Sequence, residues 1–154
     1  MSAKITVSIR LAVPPDRAFA LFTDDVDRWW RRGPKYRQGL GENGRMVFEP
    51  GEGGRFVERY DGGREFEIGR ILVWQPGERL SFVWRLSNFS EDQATEVDIR
   101  FTAIAEGTRL TLEHRGWDTI PPEHPAHHGL DLTRSQILRA RWWDEQLQAL
   151  RGTT

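Results

Sequence analysis

Apolar and polar side chains alternate with period two along most of this chain, and a helical period takes over only near residues 15–31 and 134–150. The alternation is densest between residues 53 and 86. Residues 55–60 read as a strand, Asp61-Gly62-Gly63 as a turn tolerant of positive φ, and residues 64–74 as the returning strand of a hairpin. Pro76 and Gly77 suit the central positions of a type II turn, after which residues 79–86 alternate again. One parity carries Phe56 and Tyr60, then Phe66, Ile68, Leu72 and Trp74, then Leu80, Phe82, Trp84 and Leu86. A face so apolar must be covered by another layer.

The flanking segments supply that layer. Ile5, Val7, Ile9 and Leu11 share one parity of a first strand, and Pro15 opens a short helix over residues 15–22 with Asp16 in its first turn. A second short helix is expected at 25–31, a loop at 33–44 and a strand at 45–49. Strands at 95–103, where Phe101 points inward, and at 108–115, where Leu110 and Leu112 do, follow a polar loop at 87–93. The loop at 116–129 leads to Thr133-Arg-Ser-Gln136, which fits a capping box, and then to a helix over 134–150 with Gly152 beyond it. That helix is about 25 Å long, enough to cross a sheet. Ile137, Ala140, Trp143, Leu147 and Leu150 form the stripe expected to grip it. Leu138, Trp142 and Ala149 lie nearly opposite, either as a partner surface or tucked beneath the 116–129 loop. The sum is an α+β helix-grip arrangement: a strongly curved antiparallel sheet of about six to seven strands around a long C-terminal helix, with two short helices after the first strand.

Composition narrows the function. A chain of 154 residues suits one domain, 1–154, that buries roughly 70% of its unfolded surface. A net charge of −1 argues against a dedicated nucleic-acid binder. No apolar run approaches the roughly 20 residues of a membrane span, and the alternating start lacks a signal-peptide core, so a cytoplasmic location is expected. Without Cys there is neither a disulfide framework nor a thiolate site. Seven Trp are the anomaly, because a core needs so many large flat rings only if it surrounds a space.

The chain also carries a family resemblance. Val13-Pro-Pro-Asp-Arg-Ala-Phe-Ala-Leu-Phe22, Trp29-Trp30, Gly53-Gly-Arg-Phe56, Gly69-Arg-Ile-Leu72, Pro76-Gly-Glu-Arg-Leu-Ser-Phe-Val-Trp84 and Gly107-Thr-Arg-Leu-Thr-Leu112 fall in an order that resembles the SRPBCC superfamily. Within it the chain is similar to the branch of homologues of the activator of heat-shock-protein ATPase, although Arg141-Trp142-Trp143 stands where that branch often has Gly-Trp. The resemblance implies a START or pollen-allergen-like fold around an apolar cavity for a lipid, polyketide, steroid or similar ligand. It does not choose among carriers, cyclases and chaperone co-factors.

The expected pocket wall draws Phe22, Trp29 and Trp30 from the short helices, and Phe48, Phe56, Phe66, Trp74, Phe82 and Trp84 from the central strands. Phe101, Leu112 and Trp143 complete it. Inward parity adds Glu58, Arg70 and His114 as polar anchors; alternatively, Gly69 marks a bulge that turns Arg70 outward, and Glu58 and His114 sit at wet strand ends. His124, His127 and His128 read as part of a solvated loop, with a zinc pair as the alternative. Arg28, Arg31, Arg32, Lys35 and Arg37, interleaved with Trp29, Trp30 and Tyr36, read as a helix with a basic end, or else as a seat for an anionic head group. No nucleophile elbow, phosphate loop or dinucleotide fingerprint appears, and no cofactor or metal is expected.

Three functional expectations follow. The first is non-catalytic binding of a hydrophobic small molecule. The second is a protein-interaction module, a chaperone co-activator or homodimer working through Leu138 and Trp142. The weakest is a cyclase or hydrolase using Glu58 or His114, which requires both side chains to face one cavity.

Overall fold

Seven antiparallel strands and three helices make up the computed structural model, which describes residues 4–39 and 44–154. The first three residues of the opening alternation and positions 40–43 of the expected 33–44 loop lie outside the described residues. The strands are β1 (Lys4–Leu11), β2 (Gly44–Phe48), β3 (Arg55–Tyr60), β4 (Glu65–Gln75), β5 (Arg79–Trp84), β6 (Thr95–Ile104) and β7 (Gly107–Arg115). They form one curved sheet in the order β1-β7-β6-β5-β4-β3-β2. Helices α1 (Pro15–Thr23) and α2 (Val26–Trp29) follow β1, and α3 (Leu132–Arg151) closes the chain. α3 lies along β1, α1 against β6 and β7, and α2 against β2.

Sheet curvature is concentrated in β4. Phe56 pairs with Gly69 but Val57 with Glu67, and Ile71 pairs with Phe82 but Val73 with Ser81, so two extra residues are accommodated as bulges. The expected parity of β4 therefore fails in its middle: Ile71 is buried and Leu72 is 40% exposed. Gly69 is required there, because a Cβ would lie 1.7 Å from the Val83 carbonyl oxygen. The next turn closes as expected, with Gly77 at φ +77° and the Glu78 N–H donating to the Gln75 carbonyl at 2.9 Å.

Two helices, α3 and α2, differ in detail from the sequence expectation. α3 begins earlier, because the Asp131 carboxylate caps it by accepting from the Arg134 N–H at 2.8 Å, so Thr133 is already inside the helix. Its buried stripe is Ser135, Arg139, Trp143, Gln146, Leu147 and Leu150; Ile137 is 51% exposed and does not grip the sheet. α2 is a single turn with Arg28 as its basic end, and it gives way to extended backbone at Trp30 (φ −62°, ψ 119°) instead of running on to residue 31. The Arg37 guanidinium, buried, bonds the carbonyls of Trp30 and Arg31 and the Asp27 carboxylate, which also accepts from the Met46 N–H at 2.9 Å. Arg37 is thus a structural hub that ties α2 to β2.

Candidate functional site

Most of the aromatic rings pack against one another. Phe48 stacks on Phe56 at 3.9 Å between centroids, Phe56 meets Phe82 at 5.3 Å, and Phe22 lies 4.9 Å from Trp29 and 6.4 Å from Phe101. With buried Leu112 they fill the middle of the molecule. Phe66 is half-buried, and Trp74 stands edge-on to Phe19 at 5.1 Å. None of these residues lines the cavity described next.

The cavity lies at one end of the sheet and has a volume of about 650 Å³, partly open to solvent. The segment after α2, the end of β5 and its following loop, the 3-10 turn Trp117–Thr119 and α3 enclose it. Trp84, Trp117, Trp142 and Trp143 form an aromatic wall, with Leu86 and Leu138 beside them. Of the residues expected at the site, the structure brings Trp84, His114 and Trp143 to this cavity. Trp30 stands behind them, 6.0 Å from Trp84 and 5.8 Å from Trp143, with its indole N–H on the Tyr36 carbonyl.

The three polar anchors have separate fates. His114 is buried on the cavity wall; its Nδ1 accepts from the Trp143 indole at 3.0 Å, which leaves Nε2–H to face Thr95 Oγ1 at 2.7 Å. Burial, reinforced by the nearby Arg139 cation, pushes the His114 pKa well below its ordinary value and keeps the ring neutral. Glu58 is also buried, but both oxygens accept backbone N–H groups, from Gln38 at 2.9 Å and Gly39 at 3.0 Å, and its side chain does not reach the cavity. It holds the 37–39 segment in place. Glu58 and His114 therefore do not meet across one space as an acid–base pair. Arg70 sits on the outer face, its side chain 60% exposed near Glu67, because the bulge at Gly69 turns it away from the concave side.

The wall facing the sheet's end is built from α3 and the 31–38 segment. Arg31 donates to the Glu145 carbonyl at 2.8 Å, its own N–H bonds Gln146, and Tyr36 Oη and Lys35 both reach the Glu145 carboxylate at 2.9 Å. Those contacts hold Glu145 below the usual carboxylate range. Trp142, expected to face a partner or lie under the 116–129 loop, instead donates to the Lys35 carbonyl at 2.7 Å and packs among Trp30, Tyr36 and Trp84. It is Arg139 that passes beneath that loop, bonding the Ala126 carbonyl and His127 Nδ1. His127 Nε2 in turn faces the Ile120 carbonyl and His124 Nε2 the Asn88 carbonyl, so both rings serve the loop's backbone. No group of three or more metal-ligating side chains stands together among the described residues.

Sequence reasoning missed Trp117 and Arg139 as wall residues. Trp117 follows Gly116 in a loop without periodicity, and Arg139 is a charged residue on the buried stripe of α3, which the apolar pattern alone passes over. Gly116 at φ 100° was the available signal, since a turn there swings the next ring back over the sheet.

Comparison with known proteins fits this architecture. A structure from Mesorhizobium loti (MLL2253) superposes with a TM-score of 0.67 at 20% identity, over 97% of this chain and 94% of that one. CalU16 from Micromonospora echinospora gives 0.61 at 21% identity, over 97% and 74%. DynU16, from the dynemicin biosynthetic locus, gives 0.65 at 18% identity, over 97% of this chain but 46% of its own. At such identities the likeness shows the shared fold. No curated protein matches the chain. The family model described as Activator of Hsp90 ATPase homolog 1-like protein matches residues 12–150, and the chain therefore belongs to that family, within the SRPBCC superfamily.

Proposed function

We propose that the protein binds a hydrophobic, ring-bearing small molecule in the 650 Å³ cavity without transforming it. The observation that carries this reading is the wall itself: four Trp and two Leu, with polar and charged side chains among them, around a space within the roughly 300–1,000 Å³ of small-molecule sites. The fold suits such a role, and one structural neighbour, DynU16, comes from a biosynthetic locus. Because His114 spends both ring nitrogens on Trp143 and Thr95, its part is to fix the wall, with no partner poised to exchange protons.

Titration with N-phenyl-1-naphthylamine, a neutral fluorophore that brightens out of water, tests the reading. Saturable binding with quenching of Trp emission is expected. At a hundredfold excess over Kd, a bound ligand should raise Tm by about 5–10 °C. No saturable response to this probe, and no thermal shift across a lipid and aromatic library, would overturn the proposal.

A further inference from the structure

We propose that the ligand of this cavity carries a negative charge, as a carboxylate, sulfonate or enolate on an otherwise aromatic body, and that Arg139 receives it. The inference rests on the binding role proposed above and specifies its ligand class. Arg139 lines the cavity, is only 9% exposed, and lies in no ion pair with any carboxylate among the described residues. One face of it rests on an aromatic ring: the guanidinium carbon lies 3.7 Å from the centre of the Trp117 ring. Buried cations ordinarily have an anionic partner, because desolvation is otherwise uncompensated. Here burial alone pulls the guanidinium down to about 10.

Its hydrogen bonding is incomplete in the same sense. Of the five guanidinium N–H groups, Nη1 uses one on Gln136 Oε1 at 2.9 Å, and Nη2 uses two, on the Ala126 carbonyl and His127 Nδ1, each at 2.9 Å. Nε–H and the second Nη1–H have no acceptor among the described residues. The Nε1–H of Trp117, in the ring on which the guanidinium rests, is likewise buried without a hydrogen-bond partner. The rest of the wall agrees. Lys35, Arg139 and Arg141 face Glu145 as its only carboxylate, and Glu145 is already engaged by Lys35 and Tyr36. An anion entering this space gains charge-assisted bonds from a guanidinium already oriented by Gln136, Ala126 and His127.

The test compares two fluorophores with the same rings, N-phenyl-1-naphthylamine and 1-anilinonaphthalene-8-sulfonate. The sulfonate is expected to bind wild-type protein at least about tenfold more tightly. Arg139→Met should bring that ratio close to one, weakening the sulfonate at least about tenfold more than the neutral probe, and Arg141→Gln should keep most of the preference. Should Arg139→Met fail to fold by circular dichroism, the wild-type ratio and its persistence in Arg141→Gln decide. Equal binding of the two probes to wild type, or a preference that survives Arg139→Met, would overturn the anion inference and leave the pocket intact. Binding of neither probe would overturn both.

Discussion

His114 shows how one side chain can be indispensable to a site and unfit for chemistry in it. The ring is fully enclosed, accepts from Trp143 on one nitrogen and faces Thr95 with the other, and has a cation rather than a carboxylate nearby. Its folded pKa is therefore depressed, first by burial and then by Arg139. His127 is depressed as well, chiefly by burial. In the unfolded chain both titrate near 6.5, so below that pH the unfolded state takes up protons that the folded state refuses. Stability must then fall as the pH drops below that value, by up to about 1.4 kcal/mol per pH unit from His114, whose folded pKa lies well below its ordinary value, with a smaller part from His127. Glu49, held at about 2 mainly by hydrogen bonds from Arg55, does not titrate in this window. Urea unfolding between pH 7.5 and 5.5 should show the loss, and His114→Asn should remove the larger part of the slope. Parallel slopes would mean that the fold accommodates an imidazolium at this position.

At the level of elements, the type and order of every strand and helix are legible in the alternation of residues, whereas their ends and facing sides are less so. Local chemistry explains the difference. β4 obeys period two until Ile68, then two bulges shift the phase so that Ile71 takes the inward place a regular strand would assign to Leu72. α3 offers two apolar stripes to a reader of its pattern, yet the buried direction falls between them, through Ser135, Arg139 and Gln146, because loops and carbonyls beneath it pair part of the hydrogen-bonding capacity of each. The capping box at Thr133–Gln136 likewise competes with a true cap two residues earlier. Asp131→Ala should cost about 1 kcal/mol in urea unfolding, while Thr133→Ala, inside the first turn and exposed, should stay within about 0.5 kcal/mol. The reverse order would restore Thr133 as the cap.

For the whole molecule the decisive question is where packing stops. An excess of rings in the sequence implies a hollow, but the rings of Phe22, Phe48, Phe56 and Phe82 complement one another, whereas the cluster at the end of β5 and the middle of α3 borders open space. That end became visible only once the chain was folded, because Tyr36, Trp84, Trp117 and Leu138 come from four separate segments. The two regions must answer mutation oppositely. Phe82→Ala removes a fully buried ring from the packed half and should cost about 3–5 kcal/mol. Leu138→Trp adds bulk at a 38% exposed position on the cavity wall, where open space takes it up, so stability should change by no more than about 0.5 kcal/mol. The same change should weaken N-phenyl-1-naphthylamine binding at least about tenfold by occupying the ligand's volume. Measured together by urea unfolding and fluorescence titration, these variants separate a molecule that is hollow at one end from one that merely tolerates probes at its surface, since in the second case Leu138→Trp would leave binding unchanged.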